Sequence, residues 1–265
     1  MTLVIYAETF DEHVHRIREL FQTLSDAGLT VNLAKSELGC AQVTYLGYRV
    51  GQGEVRPLSA KVKAIDYFPI PTSKRDLMRF LGMSGFYRRF CRNFSDVVLP
   101  LTNLLSKKVQ FEWTDHCQAA FEELKAILTH SPVLAAPDFD NPFSLTVDAS
   151  DRAVGAVLLQ KDVGGIDHPV GYFSKKLNKH QTNYSTIEKE ALALLLALKH
   201  FEVYISSGLY PLHVYSDHNP LTFVNKMRNH NRRLIGWYLC LQEYDKVIHH
   251  IPGKENVVAD MLSRI

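Results

Sequence analysis

Phe143-Ser-Leu-Thr-Val-Asp-Ala-Ser150 is the stretch whose reading decides the fold. Phe143, Leu145 and Val147 alternate with small polar residues, the period-two pattern of a strand. Aspartate is a poor strand former, so Asp148 at the end of an apolar strand needs a reason. One reading makes it a cap for the turn at Ala149-Ser150-Asp151. The other makes it a metal ligand held rigidly by a sheet. The choice depends on whether further carboxylates stand at matching places downstream.

Ala153 to Gln160 and Pro169 to Ser174 read as two more strands, with Gly164-Gly165 turning between them, so the three form an antiparallel meander. Ser185 to Phe201 reads as a long helix opened by a capping box, Ser185-Thr-Ile-Glu188. Leu212 to Tyr215 and Val247 to Ile251 are strands; Leu221 to Val224, Asn231 to Gln242 and Val257 to Leu262 are helical. The order describes a mixed sheet with helices packed on it.

Three carboxylates stand out along that order. Glu190 follows the capping box and abuts the most apolar helix of the chain. Asp217 follows the strand Leu212 to Tyr215, and Asp260 lies in the last helix. Each has an ordinary reading. Glu190 is a first-turn acid favoured by the helix dipole, Asp217 is an N-cap, and Asp260 lies on a solvated face. Taken with Asp148, they make a second reading. Four acids at one spot repel each other unless cations neutralise them. Ligands that are all oxygen select Mg2+ or Mn2+. Two such ions about 4 Å apart clamp the attacking and leaving oxygens of an in-line phosphoryl displacement.

Upstream, Leu3 to Tyr6 reads as a strand, Asp11 to Ala27 as a helix stopped by Gly28, and Leu29 to Leu33 and Val43 to Val50 as strands. So few elements make a small core, and the segment reads as the tail of a domain. Ser59 to Tyr67 is helical. A second helix runs from Lys74 toward Phe94 with Arg88, Arg89 and Arg92 on one face, and a third spans Phe111 to Leu128. Ser131 to Pro137 reads as an extended linker. Between Leu58 and Lys108 ten basic residues face three acidic ones, a net +7 in a chain whose total is +2. Such a segment suits a polyanion partner. Basic side chains beside aromatics are what single-strand and hybrid-duplex binders use. A solvated basic face over an ordinary core is the other reading.

The 265 residues, 46% hydrophobic and 22% charged, fit a soluble globular chain of one or two domains. No apolar run approaches the roughly 18 residues of a membrane span, and no secretory leader follows Met1. The expected place is intracellular, in the cytoplasm or the nucleus, with no membrane contact. Four cysteines without a Cys-x-x-Cys pair fit reduced thiols and give no zinc site.

Val147-Asp-Ala-Ser150, Tyr184-Ser-Thr-Ile-Glu-Lys-Glu-Ala-Leu-Ala193, Tyr215-Ser-Asp-His-Asn-Pro-Leu221, His250-Ile-Pro-Gly253 and Asn256-Val-Val-Ala-Asp-Met-Leu-Ser-Arg264 resemble the ribonuclease H domain of gypsy-type LTR-retrotransposon polyproteins. Leu3-Val-Ile-Tyr6, Gly28-Leu-Thr-Val-Asn32, Tyr45-Leu-Gly47 and Arg79-Phe-Leu-Gly82 resemble the end of the reverse-transcriptase palm and its thumb.

The resemblance implies a mixed α/β fold, with a five-stranded ribonuclease H-like sheet at 141–265. Before it would come a helical, basic thumb-like segment at 58–140 and a partial α+β palm remnant at 1–57. It implies a metal tetrad of Asp148, Glu190, Asp217 and Asp260 that holds two Mg2+ or Mn2+ ions, with His250 assisting product release and His218 near substrate. It further implies that Arg88, Arg89, Arg92, Tyr45 and Gly47 hold an RNA–DNA hybrid whose RNA strand is cut. The polymerase motif Tyr-x-Asp-Asp would stand just before Leu3, where Met1-Thr2 stands instead, so no DNA synthesis is expected of this chain alone. Two alternatives stay open: a binding relic without catalysis, and a partial reading of a longer polyprotein. The oligomeric state is left open as well.

Overall fold

The computed structural model describes residues 3–7, 9–130, 133–216 and 232–250. Residues 3–7 carry no strand. Helix α1, Phe10–Asp26, is capped by the Thr9 hydroxyl, which accepts from the Glu12 amide. Its apolar stripe is amphipathic, yet it has no buried residue. The expected strand Leu29 to Leu33 is absent; a single 3-10 turn, Leu33–Lys35, follows instead. Leu29, Val31 and Leu33 are all exposed. A strand needs a partner to bury one face, and the described residues offer none here.

The expected single strand at Val43 to Val50 is a hairpin. β1 (Val43–Tyr45) and β2 (Tyr48–Gly51) pair antiparallel, and β3 (Glu54–Pro57) continues the meander. Leu46 and Gly47 both take positive φ, 47° and 85°. That is the mirror-image turn whose twist matches paired strands. The expected linker also holds structure. Leu134–Ala135 forms β4, which pairs with β3 and completes a four-stranded sheet in the order β1-β2-β3-β4.

Helices α2 (Ser59–Asp66), α3 (Lys74–Phe86), α4 (Phe94–Val97), α5 (Leu99–Leu104) and α6 (Asp115–Thr129) pack beside this sheet. One apolar core joins Val55 and Leu134 of the sheet to Phe80, Leu101, Phe121 and Leu124 of the helices. Residue 57 is therefore not a break between cores. Helix α3 does not reach Phe94. It stops at Phe86, and Arg88–Phe90 is a separate 3-10 turn before Asn93, whose φ of 55° redirects the chain.

The second sheet has five strands in the order β7-β6-β5-β8-β9. β5 (Phe143–Ala149), β6 (Ala153–Lys161) and β7 (Asp167–Lys176) form the expected meander. β8 (Leu212–Ser216) runs parallel to β5, and β9 (Lys246–His250) runs parallel to β8. Helix α7 (Thr186–His200) lies across β5 and β6. The short α8 (Glu202–Ile205) follows α7, and α9 (Arg232–Gln242) docks on it.

The odd-numbered residues of β5 explain this packing. Phe143, Leu145 and Val147 meet Leu194, Leu195 and Leu198 in a second core. The capping box is present: the Glu188 amide donates to Ser185 Oγ, and the Ser185 amide donates to Glu188 Oε2 at 2.9 Å. Arg233 of α9 reaches Glu188 at 3.2 Å and stacks 4.3 Å over the Tyr184 ring.

Candidate active site

Strands β5, β8 and β9 run the same way, so their carboxyl ends share one edge of the sheet. Asp148 is the penultimate residue of β5, Ser216 ends β8 and His250 ends β9. The ladders pair Thr146 with Tyr215, Tyr215 with His249 and Ser216 with His250. Chain connections diverge at this edge, from β5 outward to β6 and from β8 outward to β9. A crevice beyond strand carboxyl ends, where connections diverge, is where open α/β sheets bind ligands.

Asp148 is 5% exposed and Glu190 4%. Burial this deep is costly for a carboxylate, so each position is one that the fold maintains. Helix α7 carries Glu190 in its second turn and packs against β5. Leu192 and Ala193, one turn further along, pack with Ala149. Lys189 pins the same turn: its ammonium lies 2.6 Å from Asp151 Oδ1, just past β5. That hydrogen bond and the lysine charge hold the Asp151 carboxyl below its usual range. Lys189 and Asp151 were not singled out from sequence. The signal was present, as a buried lysine beside a catalytic candidate calls for an acid to pair with it.

Gly155 was also missed. It stands opposite Asp148 on β6, and Ser174 stands opposite Gly155 on β7. Directly opposed residues share a sheet face, so the position next to Asp148 on that face carries no side chain from β6. A glycine inside a strand marks such a close approach.

Asp217, His218 and Asp260 lie outside the described residues. Among the described residues no three His, Cys, Asp or Glu side chains gather as a metal group. Of the four predicted carboxylates the structure describes two, Asp148 near the end of β5 and Glu190 in the second turn of α7, and both are buried. His250 itself is exposed. Behind it, His213 Nδ1 and His249 Nε2 lie 2.9 Å apart, and the His249 ring stacks on Tyr215.

The predicted hybrid-binding residues divide differently from expectation. Arg88, Arg89 and Arg92 share no helical face, because α3 ends before them. The Arg88 guanidinium donates to the Ser174 carbonyl at 2.5 Å, and Arg89 donates to the Val170 carbonyl at 3.4 Å and to the Tyr204 hydroxyl at 3.2 Å. Arg92 is half-buried near Tyr172, where its charge opposes the burial that raises the tyrosine pKa. Tyr45 is half-buried at the end of β1. Gly47 is a packing glycine: a Cβ there would meet the Phe86 ring at 2.9 Å, and its carbonyl accepts from the Tyr87 hydroxyl at 3.0 Å. A cleft of about 540 Å³ opens elsewhere, between the small sheet and α2, with Arg49, Arg56 and Lys63 facing Glu37 and Asp66. It contributes no residue to the β5 edge.

Residues 113–214 match the RNase H-like domain found in reverse transcriptase. The chain is 42% identical over 274 aligned residues to the Retrovirus-related Pol polyprotein from transposon opus of Drosophila melanogaster. It is 37% identical to the Transposon Tf2-3 polyprotein of Schizosaccharomyces pombe. Each alignment takes in 99% of this chain. The chain matches one segment of retrotransposon Pol polyproteins.

This Pol segment spans only 27% of the first of those relatives and 20% of the second. Its fold is that of a foamy viral protease-reverse transcriptase solved in complex with an RNA/DNA hybrid. The TM-score is 0.78 at 24% identity, over 93% of this chain and 34% of that one. The foamy viral protease-reverse transcriptase in complex with dsDNA gives a TM-score of 0.76 at 25% identity, over 93% of this chain and 52% of that one. The domain match begins at residue 113, so it includes α6, whose buried face belongs to the first core. It takes in Asp148 and Glu190 and ends at Val214, before the strand edge at Ser216.

Proposed function

We propose that this Pol segment is a divalent-metal-dependent endonuclease that hydrolyses the RNA strand of an RNA–DNA hybrid. The observation that carries the proposal is the deep burial of two carboxylates, Asp148 near the carboxyl end of β5 and Glu190 on the helix α7 that packs across it. A donor set made only of carboxylate oxygens fits a hard cation such as Mg2+ or Mn2+. Asp148 and Glu190 would hold the metal with Asp217 and Asp260. Bound there, it would lower the pKa of an attacking water and neutralise charge on the departing oxygen.

The chain's own residues supply position. β5 holds Asp148 on a strand paired on both sides, which removes backbone freedom. The Lys189 tie to Asp151 fixes the α7 turn that carries Glu190. His250, at the end of β9, would exchange protons with the product as it leaves. Segment 58–108, with its net +7, would meet the hybrid backbone, and that contact positions the duplex without reading its sequence. A ribose 2′-hydroxyl, absent from DNA, would mark the strand to be cut. The foamy viral structure in complex with an RNA/DNA hybrid supports this choice of substrate class.

The test is cleavage of an end-labelled RNA strand in a hybrid with Mg2+. Asp148→Asn and Glu190→Gln are each expected to slow cutting by about 10²–10³-fold, the scale for removing one preorganised electrostatic group. Equal cutting by parent and variants would sink the assignment. Hybrid binding without any cutting by the folded parent would leave a binding module in its place.

A further inference from the structure

Among the described residues β7 is an edge strand, and no strand pairs with its outward backbone groups. Its register also slips where Leu158 pairs with Gly171 and Leu159 with Pro169, which leaves Val170 as the extra residue of a bulge. Arg89 donates to the carbonyl of that bulged residue and, with the same nitrogen, to Tyr204. Arg88 donates to the Ser174 carbonyl four residues further along. The Ser174 hydroxyl in turn accepts from the Ser95 amide at 2.8 Å and donates to Ser95 Oγ at 3.0 Å. Both arginines and Ser95 belong to the first core's helical region, and the groups they meet belong to the second sheet or to α8.

Ser174 is also the end of the cross-strand row Asp148–Gly155–Ser174. Two strand spacings separate its ends, about 10 Å. The arginine clamp therefore grips the row that carries Asp148.

Resting on the nuclease reading above, we propose that Arg88 and Arg89 are positioning residues. They lock β7 to the helical unit, so that a hybrid held by that unit presents one phosphate to Asp148. Lysine is not equivalent, because each guanidinium also lies over an aromatic ring, Arg88 over Phe94 at 5.6 Å and Arg89 over Tyr48 at 5.8 Å, and an ammonium has no planar face to stack there. This separates the clamp from a phosphate contact, where lysine's charge would suffice.

The test uses the double variant Arg88→Lys/Arg89→Lys. Nitroxide labels go at Lys107→Cys and Val163→Cys, exposed sites on the two units, with Cys40→Ser and Cys240→Ser to prevent stray labelling. The parent should give one narrow inter-label distance distribution and the double variant a distribution at least twice as wide. On a hybrid with one fixed end, cut positions should spread in the variant, while the slope of binding against salt stays unchanged. An unchanged distance width overturns the clamp. So does a slope shallower by about two in Arg88→Ala/Arg89→Ala, the signature of two phosphates no longer neutralised. A parent that cuts no hybrid overturns the nuclease reading alone, because the distance measurement needs no activity.

Discussion

Helices α1 and α7 are nearly equal in length, 17 and 15 residues, and both begin with a hydroxyl cap. Their fates differ. α7 buries ten residues, while α1 buries none. Phe10 of α1 is 72% exposed, and Leu198 of α7 is fully buried. Caps and an amphipathic stripe are enough to shape a helix. Stability comes from what the stripe meets, and only α7 meets a sheet among the described residues.

Deletion of buried methyl groups is the strongest way to break that comparison. Leu198→Ala should destabilise the chain by about 2–5 kcal/mol, the usual cost of a buried leucine, seen as a lowered urea midpoint. A loss near zero would mean that α7 is not the keystone of the second core. Next comes the cap. Ser185→Ala removes one half of the α7 capping box and should cost about 1 kcal/mol. In α1, Ile17→Ala should change stability by less than about 0.5 kcal/mol, because alanine's better helix propensity offsets the small apolar area that Ile17 covers. A cost at Ile17 comparable to that at Leu198 would show that α1 has a partner in solution and would end the contrast.

The last test concerns pH. Asp96 lies on α4, which packs on β7, and burial raises its pKa to about 6 against the pull of Arg152. The folded state therefore holds a proton that the unfolded state releases near its ordinary value of 3.8. This contribution is fully present below 3.8 and is lost as pH rises from there through about 6. Asp96→Asn should match the parent's melting temperature near pH 3.5 and exceed it at pH 7. A parent and variant that differ equally at both values would refute the assignment.

The second core was legible because β5 and α7 each carry a clear local signal. Phe143, Leu145 and Val147 gave the strand its period, and Ser185 with Glu188 marked the helix start. Local pattern misled where pairing decides. Leu29, Val31 and Leu33 alternate like a strand but find no partner among the described residues. Leu134 and Ala135 sit among prolines and read as linker, yet β3 recruits them.

The arginines were misplaced for a related reason. Their charge is visible in sequence, but the carbonyls of Val170 and Ser174, about 80 positions away, are not. Asp148 and Glu190 were legible as candidates because an acid in an apolar setting violates the local rule. The Lys189–Asp151 tie and the Gly155 gap beside Asp148 needed the fold.

The parallel ladder between β5 and β8 also sets an order of assembly. Ser144 pairs with His213, 69 positions later, while β5, β6 and β7 pair through short turns. Closing so long a loop costs chain entropy before any contact repays it. The meander can form while the chain is still being made. The carboxyl edge that β5 shares with β8 cannot be finished until β8 has emerged from the ribosome. A growing chain thus carries its first acid long before it carries an assembled centre.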